Sequence, residues 1–275
     1  MATYAIRGGV EGKQRLDLLA QTMAGTTHAL LAEVSLHQGS SCIDLGCGAG
    51  HVSRHLGKLV GPTGRVLGID FDAVKLAAAR EECERGGLAN VEFRTADVAN
   101  WDEPETYDLV FGRFVLSHLS DRPAVVRRMC AALRPGGRLV LEDIDYGGAF
   151  CYPPNVAFGL QCTLYCSLIS RRGGDVLLGP QLVGLCRDAG LDEIQIRVVQ
   201  PVHTGRHPGK AMSLSTLENI ADAAIAEGLA TRAELGEAIR QLAELTDDPH
   251  SIIACPRVFQ VWGRRPARPA SLASQ

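Results

Sequence analysis

The sequence predicts an α/β fold whose mainly parallel sheet is covered by helices on both faces. Three observations carry this. From residue 41 to 141, short apolar runs of strand length alternate with segments of helical period. Turn sequences such as Gly61-Pro62-Thr63-Gly64 punctuate the alternation. The chain, 275 residues with 46% hydrophobic and 21% charged side chains, is large enough to bury both faces of such a sheet.

Each element follows from its own residues. Leu16, Leu19, Ala20, Met23, Ala29, Leu30 and Val34 recur at helical spacing over 12–34, predicting one or two helices with a break near Gly25. Ser41–Leu45 reads as a strand and His51–Val60 as a short helix. A second strand at 66–69 stops at Asp70, and Asp72 is placed to cap the next helix, which runs to Gly86-Gly87. Strands at 91–94 and 107–111, a helix at 121–133, the turn Arg134-Pro135-Gly136-Gly137 and a strand at 138–141 complete the repeating part. Beyond it, 147–179 is rich in aromatic residues and cysteine, 180–189 is helical, 194–199 alternates as a half-exposed strand does, 213–245 is helical and 257–262 is a last strand.

Composition narrows the function. A formal charge of -3 argues against wrapping nucleic-acid phosphate and against electrostatic membrane binding. No apolar run has the length of a transmembrane helix, and Arg7 and Glu11 interrupt what would be a signal peptide. Nine cysteines without a Cys-x-x-Cys pair point to a reduced, cytoplasmic setting. Cys42, Cys83, Cys130, Cys186 and Cys255 lie in or beside apolar-periodic segments, where a thiol behaves as a small hydrophobe. Cys162 and Cys166 share a helical face but lack partners at ligand spacing, so no metal site is expected.

The densest signal is Gly46-Cys47-Gly48-Ala49-Gly50, between a strand and a helix. Glycines there let the chain turn sharply and let a ligand approach the main chain, while the helix N-terminus offers unpaired N–H groups. Asp70, closing the next strand, is placed to accept hydrogen bonds from both hydroxyls of a ribose. A dinucleotide fingerprint would require glycine at position 51, where His51 stands, and no Gly-Lys-Ser/Thr marks a triphosphate loop.

Ile43-Asp44-Leu45-Gly46-Cys47-Gly48-Ala49-Gly50 resembles the first motif of class I S-adenosylmethionine-dependent methyltransferases. Gly68-Ile69-Asp70, Ala96-Asp97-Val98, Tyr107-Asp108-Leu109-Val110 and Leu133-Arg134-Pro135-Gly136-Gly137 agree with later motifs in order and spacing, so the resemblance covers residues 40–145. It implies a Rossmann-like, mostly parallel seven-stranded sheet with helices on both faces and a helical cap. It also implies S-adenosyl-L-methionine as cofactor and S-adenosyl-L-homocysteine as product. The likeness is to the small-molecule branch that includes quinone-biosynthesis and natural-product enzymes.

By that resemblance, Gly46 and Gly48 cradle the methionine part, with Cys47 and Gly50 in the same loop, and Asp44 anchors it or holds the amino group through water. Asp70 takes the ribose, Phe71 lies against the adenine, and Asp97 and Val98, with Ala96, read its edge. Arg113 and His118 follow the fourth strand near the methionine moiety, while Tyr4 and Arg15 belong to an N-terminal helix that folds over the cofactor. Structural alternatives stand beside these roles: Asp70 as a helix cap, Phe71 as core, Arg113 paired with Asp108 or Asp143.

For the acceptor, the signatures of several classes are missing. Gly112-Arg113-Phe114-Val115 stands where enzymes of DNA exocyclic amines carry Asn/Asp-Pro-Pro-Tyr/Phe. Cys255 precedes Pro256, the reverse of the Pro-Cys pair used on cytosine, and Gly112-Arg113 offers no carboxylates for metal-dependent catechol methylation. What remains is metal-independent transfer to a small, partly apolar or aromatic molecule by in-line displacement. Phe150, Tyr152, Phe158 and Tyr165 are candidates to line its pocket. Candidate bases are His118, Asp143 and Tyr146, with His203 and His207 in an expected solvated loop around Gly205. Of Asp143 and Asp145, one is expected to orient substrate and the other to cap the next turn.

The expected organisation is one domain over 1–275. It comprises an N-terminal helical segment 1–36, a cofactor core 40–145, cap insertions 146–180 and 203–250, final strands 191–202 and 255–263, and a flexible tail 264–275. The expected partner is a small-molecule acceptor, with no nucleic acid and no membrane. The chain is expected to be a monomer or homodimer, an exposed apolar face on 213–245 favouring the dimer. Two other readings are a non-catalytic S-adenosylmethionine-binding scaffold or regulatory protein and a nicotinamide-dependent oxidoreductase. Intact glycines with Asp70 and Asp97 speak against the first, and His51 with the Pro-Gly-Gly turn against the second.

Overall fold

The computed structural model describes residues 9–267, so Tyr4 and residues 268–275 of the expected tail lie outside the described residues. In chain order the elements are α1 (Gly9–Val34), β1 (Ser41–Leu45), α2 (His51–Val60), β2 (Arg65–Asp70), α3 (Ala73–Arg85), β3 (Val91–Thr95), β4 (Tyr107–Arg113), α4 (Arg122–Ala132) and β5 (Leu133–Asp145). There follow β6 (Phe150–Tyr152), α5 (Val156–Arg171), α6 (Leu182–Asp188), β7 (Asp192–Val199), β8 (Val202–Thr204), α7 (Met212–Ala226), α8 (Arg232–Asp247), β9 (Ile252–Ala254) and β10 (Arg257–Arg264).

Seven strands form one sheet in the order β3-β2-β1-β4-β5-β10-β7. Pairing is parallel from β3 to β5, and β10 runs antiparallel to both of its neighbours. The winding reverses between β1 and β4, and such a switch opens a crevice beyond the carboxyl ends of the two strands.

Side chains alternate across the strands with period two. Ile43, Leu45, Val110, Leu139 and Leu141 therefore pack under α4 and α6, while Cys42, Leu109, Phe111, Val140 and Trp262 pack under α1, α2 and α3. Following the second face to the strand ends brings Asp44, Arg113, Glu142 and Gln260 together beneath α1. Arg113 is the register partner of Glu142, and Glu142 that of Gln260. This polar row, continuing an apolar face, is the main feature that positions the site.

The structure departs from expectation at several points. α1 is unbroken: a glycine in a helix interior costs about 1 kcal/mol relative to alanine, while Met23, Leu30, Leu31 and Val34 are all buried along the same helix. β5 begins at Leu133 because the Pro-Gly-Gly segment stays paired with β4 through an irregular register between Tyr107 and Leu109. The 213–245 stretch is two helices, separated at Gly228 (φ 66°) and restarted by a capping box between Thr231 and Glu234. Their apolar faces close on α5 in a cap core that includes Leu164, Leu168, Leu217, Ile220, Leu235 and Leu242. The expected tail starts later, since Arg264 ends β10.

A small antiparallel sheet, β6-β9-β8, was not foreseen. It takes up His203, which sits buried on β8 and stacks on His207 with ring centroids 4.4 Å apart, correcting the solvated loop expected there. Among the described residues no helix is long and apolar enough to cross a membrane.

Candidate active site

A cavity of about 930 Å³ lies over the carboxyl ends of the strands at the β1/β4 switch and runs up under the cap. Its floor is the glycine loop. The N–H groups of Gly46 and Cys47 donate to Ile69 O at 2.8 and 2.9 Å, and Gly48 N–H donates to Asp70 Oδ2 at 2.9 Å. Gly48 has φ 54°, and a Cβ there would lie 3.2 Å from the Leu16 side chain of α1. Gly46, Cys47 and Gly48 line the cavity. Gly50 does not, contrary to expectation: it caps α2 at φ 71°, with its missing Cβ directed at Phe93 of β3, whose Cζ would be 2.7 Å away. Ala96 is displaced from the lining for a related reason, its N–H donating to Asp70 O at 3.0 Å and its side chain packing on the core.

Three acids reach the cavity from neighbouring strands. Asp44 is buried beneath the loop and accepts from Ser53 Oγ at 2.6 Å. Burial pushes its pKa up to about 6, against the opposing pull of Ser53 and Arg113. Asp70 accepts from Asp72 N–H at 2.9 Å as well as from Gly48. The cap of α3 is instead Asp72, whose Oδ1 accepts from Val74 and Lys75. Asp97 closes a turn by accepting from Ala99 N–H at 2.9 Å and Asn100 Nδ2 at 2.8 Å, and Val98 beside it is buried. Phe71 is not core: it is 55% exposed at the cavity wall, with Lys75 Nζ 5.9 Å from its ring centre.

α1 closes one side. Arg15 lines the cavity and donates through Nε to Thr216 Oγ1 of α7 at 3.3 Å. His51, the residue that broke the dinucleotide pattern, pairs with Asp17 of α1 at 3.0 Å. Arg113 donates to Thr27 Oγ1 of α1 at 3.1 Å, so neither pairing considered for it is made. Asp108 is taken by Arg134 at 3.0 Å and by Ser41 N–H at 2.7 Å, and Asp143 by Ser117 N–H at 3.1 Å.

Residues 36–163 match the family model of a methyltransferase domain. The ubiquinone/menaquinone biosynthesis C-methyltransferase UbiE of Pseudomonas aeruginosa is 31% identical over 138 residues, which is 48% of this chain and 54% of that protein. The chain spans about half the length of the curated relatives it matches. The YcgJ protein of Bacillus subtilis superimposes with a TM-score of 0.58 at 15% identity, over 88% of this chain and 99% of that one. Phosphoethanolamine N-methyltransferase 2 of Haemonchus contortus, solved with S-adenosyl-L-methionine, gives 0.51 at 18% identity, over 93% of this chain and 53% of that one. The match to the family model covers just under half of the chain, and it is a methyltransferase domain that this stretch resembles.

The cap half of the cavity is mostly apolar, its walls including Met23, Phe114, Ile144, Ile169, Met212 and Val258. Thr22 Oγ1 is buried there without a partner among the described residues. Tyr146 and Tyr165 line it and stack at 4.7 Å between ring centres, and Gln161 Nε2 donates to the Tyr146 hydroxyl at 3.4 Å. Of the other aromatic residues expected here, Phe158 is buried in the cap core, while Phe150 and Tyr152, 47% and 62% exposed, stand on the outer face of the small sheet. Sequence reading named Arg15 of the N-terminal helix and a cap over 203–250, but it did not single out Met212 and Thr216 of α7 or Cys255-Pro256 as lining, nor Ser53 beneath it.

The candidate bases separate clearly. His118 occupies a 3-10 turn in the cavity wall, and burial together with Arg15 and Lys75 brings its pKa down to about 3. Burial raises the Tyr146 phenol above its ordinary value. Asp143 does not line the cavity, which corrects its assignment; it is buried, accepts from Ser117 N–H and Ile144 N–H, and so holds the 3-10 turn that carries His118. Asp145 caps the next turn through Gly147 N–H at 3.0 Å and pairs with Arg257 at 2.6 Å. His203 and His207 are not among the lining residues. Among the described residues no three His, Cys, Asp or Glu side chains converge on a metal position.

Proposed function

We propose that this chain transfers a methyl group from S-adenosyl-L-methionine to a small, partly apolar or aromatic acceptor of natural-product or quinone-like type, without a metal. The observation that carries the reading is the continuity of the cavity. One end is built from the glycine loop, Asp70, Phe71 and Asp97, and the other is an apolar chamber under the cap. At about 930 Å³ it lies near the upper end of single-ligand pockets, which span roughly 300–1,000 Å³, so it has room for a cofactor and a second molecule.

The residues fit the cofactor. Gly48 keeps a Cβ from crowding the loop, and Asp44 and Arg113 offer opposite charges for an ammonium and a carboxylate. Asp70 retains lone pairs for ribose hydroxyls, and Phe71 offers a face to adenine. When bound, the cofactor supplies a methyl carbon activated by its sulfonium. The protein's share is to orient the acceptor and exclude water. The neutral His118 accepts a hydrogen bond, and the protonated Tyr146 donates one to orient the acceptor. One methyltransferase domain, α1 and the cap serving as lid, is the organisation that follows. The partner is the small acceptor, and a reduced cytoplasmic setting suits the free thiols.

Isothermal titration with S-adenosylhomocysteine and with NAD, followed by a radiolabelled-methyl assay over phenols, quinols and amines, tests the reading. Tight S-adenosylhomocysteine binding, no NAD binding and turnover of an apolar aromatic acceptor are expected. NAD binding in place of S-adenosylhomocysteine would overturn it, and cofactor binding without turnover on any acceptor would favour the scaffold.

A further inference from the structure

The polar row beneath α1 has a definite donor order. Glu142 is wholly buried, with Thr27 Oγ1 donating to its Oε2 at 2.8 Å and Gln260 Nε2 to its Oε1 at 2.7 Å. A threonine hydroxyl has one proton, so Thr27, having given it to Glu142, can only accept from Arg113, whose Nη1 lies 3.1 Å away. Gln260 Nε2 also donates to Thr26 O of α1 at 3.3 Å, fixing the amide that holds Glu142. The guanidinium is thus pinned at one nitrogen from behind, while Arg113 itself lines the cavity close to Asp44.

We propose that Thr27, Glu142 and Gln260 are positioning residues that aim Arg113 at the carboxylate of the cofactor's amino-acid part, and so couple the seating of α1 to recognition of that carboxylate. The proposal rests on the cofactor reading above. Its physical content is that an arginine binds a carboxylate best when its planar fork is held in one orientation before the ligand arrives. Glu142 supplies the counter-charge that keeps the guanidinium on this face of the sheet. Thr27 makes that counter-charge conditional on α1, because without the helix in place the hydroxyl is not there to bridge them. The three strands contribute through register alone: Arg113, Glu142 and Gln260 stand opposite one another across β4, β5 and β10.

Two probes separate this from general stability: S-adenosylhomocysteine, which carries the amino-acid group, and 5′-methylthioadenosine, which lacks it. Titrations use the full chain as wild type, Thr27→Val, Thr27→Ser and Glu142→Gln. Thr27→Val should weaken S-adenosylhomocysteine about tenfold, the loss of one charge-assisted hydrogen bond, and leave 5′-methylthioadenosine within about twofold. Thr27→Ser should restore the wild-type value, and Glu142→Gln should follow Thr27→Val in its selectivity for the first probe. Equal weakening of both probes, or no weakening of either, would overturn the positioning role. Wild-type protein binding both probes equally would overturn the aim at a carboxylate, and wild-type protein binding neither would overturn the cofactor reading itself. A circular-dichroism melt of each variant shows that the compared proteins are folded.

Discussion

Gly48 N–H donates to Asp70 Oδ2 at 2.9 Å, so the carboxylate assigned to a ribose also shapes the loop assigned to the methionine part. The second oxygen accepts from Asp72 N–H, at the start of the α3 turn. Asp70 therefore ties together the two ends of the cofactor site before any ligand arrives.

Asp70→Ala should accordingly lose S-adenosylhomocysteine binding by more than about 30-fold, since two N–H groups lose their acceptor as well as the ligand. Asp70→Asn, which retains one acceptor oxygen, should fall between it and wild type. Isothermal titration checks both, and unchanged affinity in Asp70→Ala would remove the ribose assignment.

Gly50→Ala should act on stability and not on binding. The new Cβ would meet Phe93 Cζ at 2.7 Å in a left-handed conformation, φ 71°. Overpacking of this kind typically costs 1–3 kcal/mol, so a loss of about 2 kcal/mol is expected. Urea denaturation measures it, with S-adenosylhomocysteine affinity staying within about threefold of wild type. A large affinity loss at full stability would return Gly50 to the binding loop.

Affinity should depend on pH through Asp44. Its carboxyl titrates near pH 6 in the folded chain, against the ordinary value of 3.8. The ionised form is the one that attracts the cofactor's ammonium, so affinity should rise from pH 5 to pH 7 and flatten in Asp44→Asn. The unliganded protein should show the opposite trend. Between about pH 4 and 6 the folded state keeps protons on Asp44 and Asp143 that the unfolded state has released, so stability from these groups falls as pH rises. Melting curves at pH 4.5, 5.5 and 6.5 check the sign, and Asp143→Asn should reduce the slope.

His118→Ala and Tyr146→Phe should differ in their pH behaviour from a catalytic base near neutrality. With His118 down at about 3, the methyl-transfer rate should show no inflection from it between pH 6 and 8. Each substitution should raise the acceptor KM about three- to tenfold, the worth of one hydrogen bond, more than it lowers kcat. An inflection near pH 6.5 that vanishes in His118→Ala would make His118 the base.

Much of the fold was legible because its signals are local. The Ser41–Leu45 strand, the glycine run, the His51–Val60 helix and Asp72 as a cap depend on residues within a few positions of one another, and the structure forms these elements where the sequence places them. Gly48 and Asp70 were legible as lining residues from the glycine run and the end of the second strand, and Asp44, Asp97 and Val98 through the resemblance of the motifs that carry them. Gly50 and Asp143 misled because sequence position does not say which way a residue faces. Gly50 turns its bare Cα to Phe93, and Asp143 lies on the α4 face of β5. Thr27, 115 positions from Glu142 in the chain, gave no sign of its partner.

By itself, then, the sequence determined the alternation of strands and helices around a mainly parallel sheet and the end at which a ligand binds, since strand period, turn chemistry and the glycine run are properties of short segments. The N-terminal helix and the segments 146–180 and 203–250 were candidates to close over that end, and tertiary structure alone decided how they pack there. The apolar face of 213–245 suited a dimer or a cap equally well, and only its burial against α5 made it a cap. The row of Asp44, Arg113, Glu142 and Gln260 likewise exists only because four strands distant in sequence lie side by side in register, with α1 laid across them. Apolar periodicity tells a segment to be buried; which surface buries it is settled by long-range packing.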